Sequence, residues 1–161
     1  LLTPADARRL LAAGAKRPAE AARVYARARE FREAMYRIVA SRVEGKTPAD
    51  SDLDLLNRVL MQALAHRRLT ATRDGFAWEW MADPDDLGWM LWPIASSAAE
   101  LLMSEDLARV KECASQNCNW LFVDASRNRS RRWCDMSDCG NRAKARRHYQ
   151  RVSGSGGRRV G

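Results

Sequence analysis

The chain has 161 residues, of which 46% are apolar, so it can bury a core and suits one ordinary domain or a medium domain with a small appendage. No apolar run approaches the length needed to cross a bilayer, and no charged-then-apolar leader precedes the first predicted helix, which predicts a soluble, cytoplasmic protein. Residues 1–108 carry 15 basic and 16 acidic side chains whereas residues 109–161 carry 13 and 4, a division expected when one part of a protein contacts polyanions and the other does not.

The first two predicted helices follow directly on one another. Residues 3–6 (TPAD) offer a capping hydroxyl, a proline for the first helical position and an acid in the first turn, and Gly14 is predicted to end this helix. A longer helix is predicted from Pro18 to Glu44. Its apolar stripe predicts the core-facing side: Ala21, Val24, Tyr25, Ala28, Phe31, Met35, Ile38 and Val39. The arginines mostly off this stripe predict a solvated face: Arg23, Arg27, Arg29 and Arg37.

A third helix and a hairpin are predicted next. Thr47-Pro48 starts the helix, whose apolar face is Leu53, Leu56, Val59, Leu60, Ala63 and Leu64. Between Arg67 and Ala82 the pattern changes to alternation, and Asp74-Gly75 is the strongest local signal for a two-residue hairpin turn. One strand face is then apolar and is predicted to pack on the helices, with these pairs: Arg73 with Phe76, Ala71 with Trp78, and Leu69 with Trp80.

A fourth helix is predicted to start at Asp83-Pro84, with Pro93 kinking it near Trp89 to Trp92. Its apolar stripe is Leu87, Met90, Leu91, Ile94, Ala98, Leu101 and Leu102. Four of the six tryptophans lie in this part of the chain: Trp78, Trp80, Trp89 and Trp92. We favour a core-filling role for them over an aromatic effector pocket, because cores and apolar pockets share this composition.

No enzyme signature is present in residues 1–108. There is no glycine-rich phosphate loop, no His-Glu-x-x-His and no serine elbow, so the sequence predicts a protein without enzymatic activity. His66 stands near a helix end and is predicted to be a surface or capping side chain. Asp85 and Asp86 are predicted to lie in a first helical turn, where they complement the helix dipole.

The cysteines form the strongest chemical signal of the chain. Cys113, Cys118, Cys134 and Cys139 are spaced C-x4-C-x15-C-x4-C, and zinc prefers four such ligands in a tetrahedron. Disulfides are the structural alternative, but a chain of this length with a large apolar part does not need them. The sequence therefore predicts a Zn²⁺ site with four cysteine ligands.

The elements around the cysteines predict a small finger. Residues 120–123 and 131–133 are predicted to be two short strands flanking a polar, basic loop, and residues 140–152 are predicted to be a helix. Ala145, Tyr149 and Val152 would face the zinc hairpin, and Asp138 would cap the helix. A knuckle, a hairpin and a helix bearing the last ligand at its start is the order of a treble-clef finger.

Three residues near the last ligand allow more than one role. His148 could replace a cysteine as ligand, but four cysteines already complete the shell, so a hydrogen bond or a phosphate contact is preferred. Asn141 and Arg142 could contact nucleic acid or hold the finger together. We favour a structural role for Asn141 and a mixed role for Arg142.

Cys139-Gly140-Asn141-Arg142 spells CGNR, and the stretch CASQNCNWLFVDASRNRSRRWCDMSDCGNRAKARRHYQR resembles the CGNR zinc-finger family of bacteria. The resemblance covers residues 109–152 closely. In that family the finger follows a mainly helical domain called ABATE, described as a stress-induced transcription regulator; over residues 1–106 the resemblance rests on the order of elements and on the stretch WPIASSAAELL. Because ABATE domains usually begin well before this point, the resemblance implies that their first elements precede residue 1.

The predicted elements and the resemblance together give a mainly α fold, with a helical ABATE-like domain with one β-hairpin at residues 1–106 and a treble-clef-like zinc finger at 107–152. The glycine-serine-rich composition of residues 153–161 predicts a flexible tail. The resemblance also implies DNA binding and transcriptional control, with RNA binding or a protein-interaction adaptor as alternatives. The helical domain would supply homodimerisation or the sensing of a small-molecule effector. Basic residues of the finger are the predicted nucleic-acid contacts: Arg127, Arg129, Arg131, Arg132, Arg142, Lys144, Arg146, Arg147 and Arg151.

Overall fold

The computed structural model describes residues 3–81, 83 and 85–155, with only the backbone of residues 154 and 155. The chain divides into two compact units, Leu1–Ser104 and Glu105–Gly161, which we call the helical unit and the finger unit. Over the described residues, no helix combines the length and the apolar character that crossing a membrane requires.

Helices α1 to α4 and one hairpin form the helical unit. The elements in chain order are α1 (Pro4–Lys16), α2 (Pro18–Val43), α3 (Asp50–Ala65), β1 (Arg67–Thr72), β2 (Gly75–Trp80) and α4 (Leu91–Met103). The main core lies where α2, α3 and α4 meet, and its buried members are Phe31, Ile38, Leu56, Val59, Leu91 and Ala95. Burial of these apolar side chains is the main force that holds the three helices together.

The first helix begins where it was predicted and ends later. The Thr3 hydroxyl accepts a hydrogen bond from the Asp6 amide at 3.1 Å, and the Asp6 carboxylate accepts one from the Thr3 amide at 3.0 Å, which completes a capping box. The predicted end at Gly14 is wrong, because α1 continues to Lys16. It stops there since Pro18 excludes a helical conformation at Arg17, whose φ is −129° and ψ 61°.

The predicted core stripe of α2 is confirmed at its centre and wrong at Tyr25. Phe31 and Ile38 are buried, but Tyr25 is 66% exposed, and the fully buried Ala34 was not in the stripe. The predicted solvated arginines are exposed, and Arg37 also forms an ion pair with the buried Asp52 of α3 at 2.6 Å. That hydrogen bond lowers the pKa of Asp52.

The hairpin exists, but its predicted register is wrong by two residues. Leu69 pairs with Trp78, and Thr72 pairs with Gly75, so the two loop residues are Arg73 and Asp74. Gly75 has φ 133°, a conformation that glycine adopts easily, and it is the first residue after the loop instead of the second loop residue. A shift of two residues keeps every side chain on its predicted face, because side chains alternate along a strand.

The apolar face of the hairpin packs on the helices only at its base. Phe76 is 76% exposed and Trp78 is 59% exposed, so the prediction that this whole face is buried is wrong. At the base, the Arg67 guanidinium lies 4.6 Å from the Trp78 ring centroid and donates to the Ser96 hydroxyl of α4 at 2.9 Å. The cation thus covers aromatic surface that the helices leave open.

The predicted start of the fourth helix is also wrong, since α4 begins at Leu91; Pro84 lies outside the described residues. Pro93 falls in the first turn of α4, where its missing N–H has no intrahelical partner, so no kink is needed. Because α4 begins at Leu91, Asp86 does not lie in its first turn as predicted. It instead stabilises the turn before the helix by accepting a hydrogen bond from the Gly88 amide at 2.7 Å. Of the four tryptophans, Trp92 is buried in the core, and the His66 ring at the end of α3 stacks on it at 4.0 Å.

The finger unit begins with a short 3₁₀ helix, Glu105–Arg109, followed by β3 (Val110–Glu112), β4 (Leu121–Val123), a π-helical turn (Met136–Gly140) and α5 (Asn141–Ser155). The predicted strand at 131–133 is wrong, because β4 pairs antiparallel with β3 instead. The two strands flank the first cysteine pair, and the Arg132 carbonyl accepts a hydrogen bond from the Ala114 amide at 2.9 Å instead of pairing with β4. Residues 153–155 extend α5 rather than starting the predicted tail, and the rest of the tail lies outside the described residues.

Candidate metal centre and basic surface

The four cysteine sulfurs form one cluster. All four Sγ atoms lie within 4.8 Å of one another. The Cys118 sulfur is 3.5 Å from that of Cys134 and 3.6 Å from that of Cys139, and the sulfurs of Cys134 and Cys139 are 3.7 Å apart. These separations approach about 3.8 Å, the edge of a tetrahedron with its centre about 2.3 Å from each sulfur, the usual Zn–S distance. A disulfide requires about 2.05 Å, and all four cysteines are free. The cluster therefore fits a metal ion, and His148 is not part of it.

Burial and the close packing of the sulfurs shift the pKa values of two cysteines of this cluster in opposite directions. Burial, reinforced by the sulfurs of Cys118 and Cys113, raises the pKa of the Cys134 thiol to about 12. Burial also opposes ionisation of Cys113, but hydrogen bonds from the backbone of Cys134 and Ser115 outweigh it and lower the pKa of Cys113 to about 7. A divalent cation would favour the thiolate form of its cysteine ligands, because a coordinating thiol is deprotonated outright.

A tight knuckle brings the first two cysteines together. The Cys113 amide donates to the Trp120 carbonyl at 2.8 Å, which extends the β3–β4 hairpin to the first ligand. Asn117 and Asn119 adopt positive φ values of 96° and 52°. Asparagine tolerates this region better than most residues, so the chain can reverse sharply around Cys118.

The π-helical turn positions the second pair. Asp135 caps it by accepting from the Asp138 amide at 2.9 Å, so the predicted cap, Asp138, is wrong. Cys139 is the fourth residue of this turn, and Gly140 follows it. A Cβ at position 140 would collide with the sulfur of Met136, so a larger residue directly after the last cysteine would require the exposed, flexible Met136 side chain to move.

Asn141 and Arg142 hold the start of α5 to the cluster. The Asn141 side-chain amide donates to the Ser137 carbonyl at 2.9 Å, in agreement with the structural role that we favoured for it. The Arg142 guanidinium lies 3.4 Å from the Cys139 sulfur and forms an ion pair with Asp138 at 3.1 Å. These hydrogen bonds and charges raise the pKa of Arg142, the bond to Cys139 having the largest effect. A cation beside a metal-binding thiolate stabilises its negative charge.

Asp124 is the residue of this unit that the sequence patterns missed. Its side chain is completely buried and forms an ion pair with Lys111 at 2.7 Å. It also accepts from the amides of Ser126 and Arg131, each at 3.0 Å. The Lys111 bond, followed by the Ser126 hydroxyl, holds the pKa of Asp124 far below its usual value. An acid that follows a short strand and precedes a polar loop is a weak signal for such a role.

The face of α5 that contacts the knuckle is not the predicted one. Tyr149 is 70% exposed and Val152 is also exposed, whereas Ala143 is half-buried and Arg146 donates to the Gln116 side chain. The attachment of α5 at Cys139 sets its rotation. The apolar stripe of Ala145, Tyr149 and Val152 therefore points to solvent.

All nine predicted nucleic-acid contacts have exposed side chains, and several of them also make contacts within the finger unit. These include Arg131, Arg132, Arg142, Arg146 and Arg147. Among them, Arg131 donates to the carbonyls of Trp133 and Cys134, and its guanidinium lies 4.8 Å from the Phe122 ring centroid. Five of the nine are the ones we consider for phosphate contacts, on the 124–131 loop and on α5: Arg127, Arg129, Lys144, Arg147 and Arg151.

The helical unit contains an apolar cavity of about 600 Å³ between α1 and α2. It is lined mainly by small and aliphatic side chains, including Leu10, Leu11 and Val24, with Tyr25 among them. None of the four tryptophans considered for an aromatic effector pocket lines it. The cavity is therefore a different feature from the tryptophan pocket that the sequence offered as an alternative.

Two family matches cover nearly the whole chain. Residues 109–152 match the CGNR zinc finger family, and residues 1–105 match the ABATE family, described as a putative stress-induced transcription regulator. No curated protein matches the chain significantly. The order of the two matches confirms the resemblance seen in the sequence. The chain belongs to the ABATE family and carries a CGNR zinc finger after its ABATE domain.

Proposed function

We propose that the protein is a DNA-binding transcription regulator whose finger unit binds Zn²⁺ and contacts DNA through its arginine-rich surface. The observation that carries the proposal is the four-sulfur cluster at the N-terminal end of α5. The last ligand, Cys139, lies two residues before the helix that carries Lys144, Arg147 and Arg151. A metal in the cluster would therefore orient the basic helix directly.

The donor set supports zinc and a structural role for it. Cys113, Cys118, Cys134 and Cys139 would be its ligands, and four thiolates suit Zn²⁺, a borderline-soft ion that takes tetrahedral sulfur sites. Such a shell leaves no open position for water or substrate, which supports a protein without enzymatic activity. After two charges are subtracted for zinc and four thiolates, residues 109–161 still carry a large positive charge.

Binding to duplex DNA should weaken steeply with salt. If Arg127, Arg129, Lys144, Arg147 and Arg151 each neutralise one phosphate, the plot of log affinity against log salt has a slope near about −4.5. The measurement is fluorescence anisotropy of a labelled duplex titrated with the zinc-loaded chain between about 50 and 300 mM salt. A flat response, or no binding at low salt, would contradict the proposal and favour a protein-interaction adaptor.

Single-stranded RNA is a second candidate ligand, and one observation favours it. Trp120 is 70% exposed on the knuckle, where its ring can stack on an unpaired base. Substitution Trp120→Ala would then weaken RNA binding by about tenfold or more and leave duplex DNA binding unchanged. If Trp120→Ala binds single-stranded RNA as tightly as the original chain does, RNA is excluded as a ligand that stacks on Trp120.

For the helical unit we propose effector sensing or homodimerisation. The apolar cavity between α1 and α2 supports a small apolar effector, since its volume falls within the range of ligand pockets. Analytical ultracentrifugation and thermal-shift measurements with apolar compounds test the two roles separately.

A further inference from the structure

The 124–131 loop contains several hydrogen bonds to its backbone, although most of its side chains are exposed. Asp124 bonds the amides at both ends of the loop, those of Ser126 and Arg131. The Ser126 hydroxyl accepts from the Ser130 amide at 3.2 Å, and Lys111 donates to the Arg129 carbonyl. Arg129 has φ 50°, a conformation that these bonds must hold in place.

Two arginines of this loop have no internal role in the described part of the chain. The side chains of Arg127 and Arg129 are exposed, and neither guanidinium has a hydrogen-bond or ion-pair partner there. Arg131 differs, because its guanidinium bonds the Trp133 carbonyl of the finger unit. The loop therefore carries two cations that make no polar contact within the described part of the fold.

Burying a carboxylate to order such a loop is costly for a small unit. A charged side chain loses its hydration on burial, and folding gains little from fixing an exposed loop. The gain appears on binding, because a loop that is already ordered loses less conformational entropy when its side chains contact a ligand. The clustered positive charge identifies the ligand class as a polyanion.

We propose that the 124–131 loop is a preorganised phosphate-contacting element of the DNA interface, distinct from α5, in which Arg127 and Arg129 contact phosphates and Asp124 is a positioning residue. The inference rests on the proposed function and specifies how part of its surface works. Phosphate contacts place a protein on the duplex without reading its sequence. The loop then contributes equally to binding of any duplex, and sequence reading falls to other parts of the protein.

The arginine pair is tested in the full, zinc-loaded chain with R127A/R129A. Loss of two phosphate contacts should make the salt slope less negative by about 1.8 and weaken binding roughly 60-fold at 0.1 M salt. Because the loss concerns phosphates, it should be the same for duplexes of unrelated sequence. R127K/R129K retains both charges and should keep the original slope.

The matched control is R8A/R23A, which removes the same charge from exposed positions of α1 and α2. It should leave the slope unchanged. If R127A/R129A behaves like this control, the loop is outside the interface and the inference is wrong, although the proposed function stands. If the original chain binds no duplex, both fail.

Asp124 is tested with Asp124→Asn, which keeps the size of the side chain and removes its charge. A positioning role predicts binding about tenfold weaker with an unchanged salt slope, since both arginines still contact phosphate after the loop is re-ordered. Zinc content, measured in the same sample, should stay at one per chain. Loss of zinc or a reduced slope would instead assign Asp124 to holding the finger unit folded and would overturn its positioning role.

Discussion

Substitution of Cys134 by serine is expected to release the metal and to unfold the finger unit while the helical unit stays folded. The Cys134 sulfur lies 3.5 Å from that of Cys118 and 3.7 Å from that of Cys139, so it is central to the cluster. Structural zinc contributes an apparent ~10–16 kcal/mol in small fingers, which is comparable to the total stability of a domain. Few apolar side chains of the finger unit are buried, so no core can replace the metal.

Zinc content by elemental mass spectrometry and amide spectra by NMR measure the two parts of this expectation. The amide signals of the finger unit should move to the chemical shifts of an unfolded chain, while the signals of α2 and α3 should stay dispersed. His148→Ala is the matched control, since His148 is exposed and lies outside the sulfur cluster. Stoichiometric zinc in Cys134→Ser, or its loss in His148→Ala, would refute the assignment of the four cysteines as ligands.

The reciprocal change, Ile38→Ala, is expected to destabilise the helical unit by about 2–5 kcal/mol and to leave zinc bound. Ile38 is 1% exposed and belongs to the core where α2, α3 and α4 meet. Removing its outer carbons leaves a cavity that close-packed neighbours fill only in part. Urea unfolding followed by circular dichroism measures the loss, because most helical residues belong to this unit.

Met61→Ala provides the comparison for that measurement. Met61 is 70% exposed on α3, and a surface substitution of this kind changes stability by about 0.5 kcal/mol or less. Equal unfolding midpoints for Ile38→Ala and Met61→Ala would show that Ile38 does not belong to the core. Zinc loss on Ile38→Ala would show that the finger unit depends on the fold of the helical unit.

Features encoded by neighbouring residues could be predicted from the sequence. The Thr3 capping box and the start of α2 at Pro18 depend on a few adjacent residues, and both were placed correctly. The spacing of the cysteines likewise indicated one cluster, because each pair lies in a single local turn. The mainly helical fold with one hairpin and a small finger followed from the same kind of signal.

Features that depend on distant partners could not be predicted. The strand before the first cysteine, Val110–Glu112, has only three residues and becomes recognisable through its pairing with Leu121–Val123. Pro93 suggested a kink only because the helix was placed too early. The burial of Asp124 depends on Lys111, thirteen residues away, and on the fold of the loop between them. Sequence periodicity contains no information on such contacts.

Because Cys139 lies only two residues before α5, a metal in the cluster would fix the orientation of this helix and change the net charge of the finger unit little. A free helix of 15 residues is marginal in water, and α5 has little buried surface of its own to stabilise it. A chain deprived of metal would keep its arginines and become a flexible polycation, still attracted to any nucleic acid but without a fixed face. Metal supply would then control the selectivity of the protein, with its general affinity for polyanions largely retained.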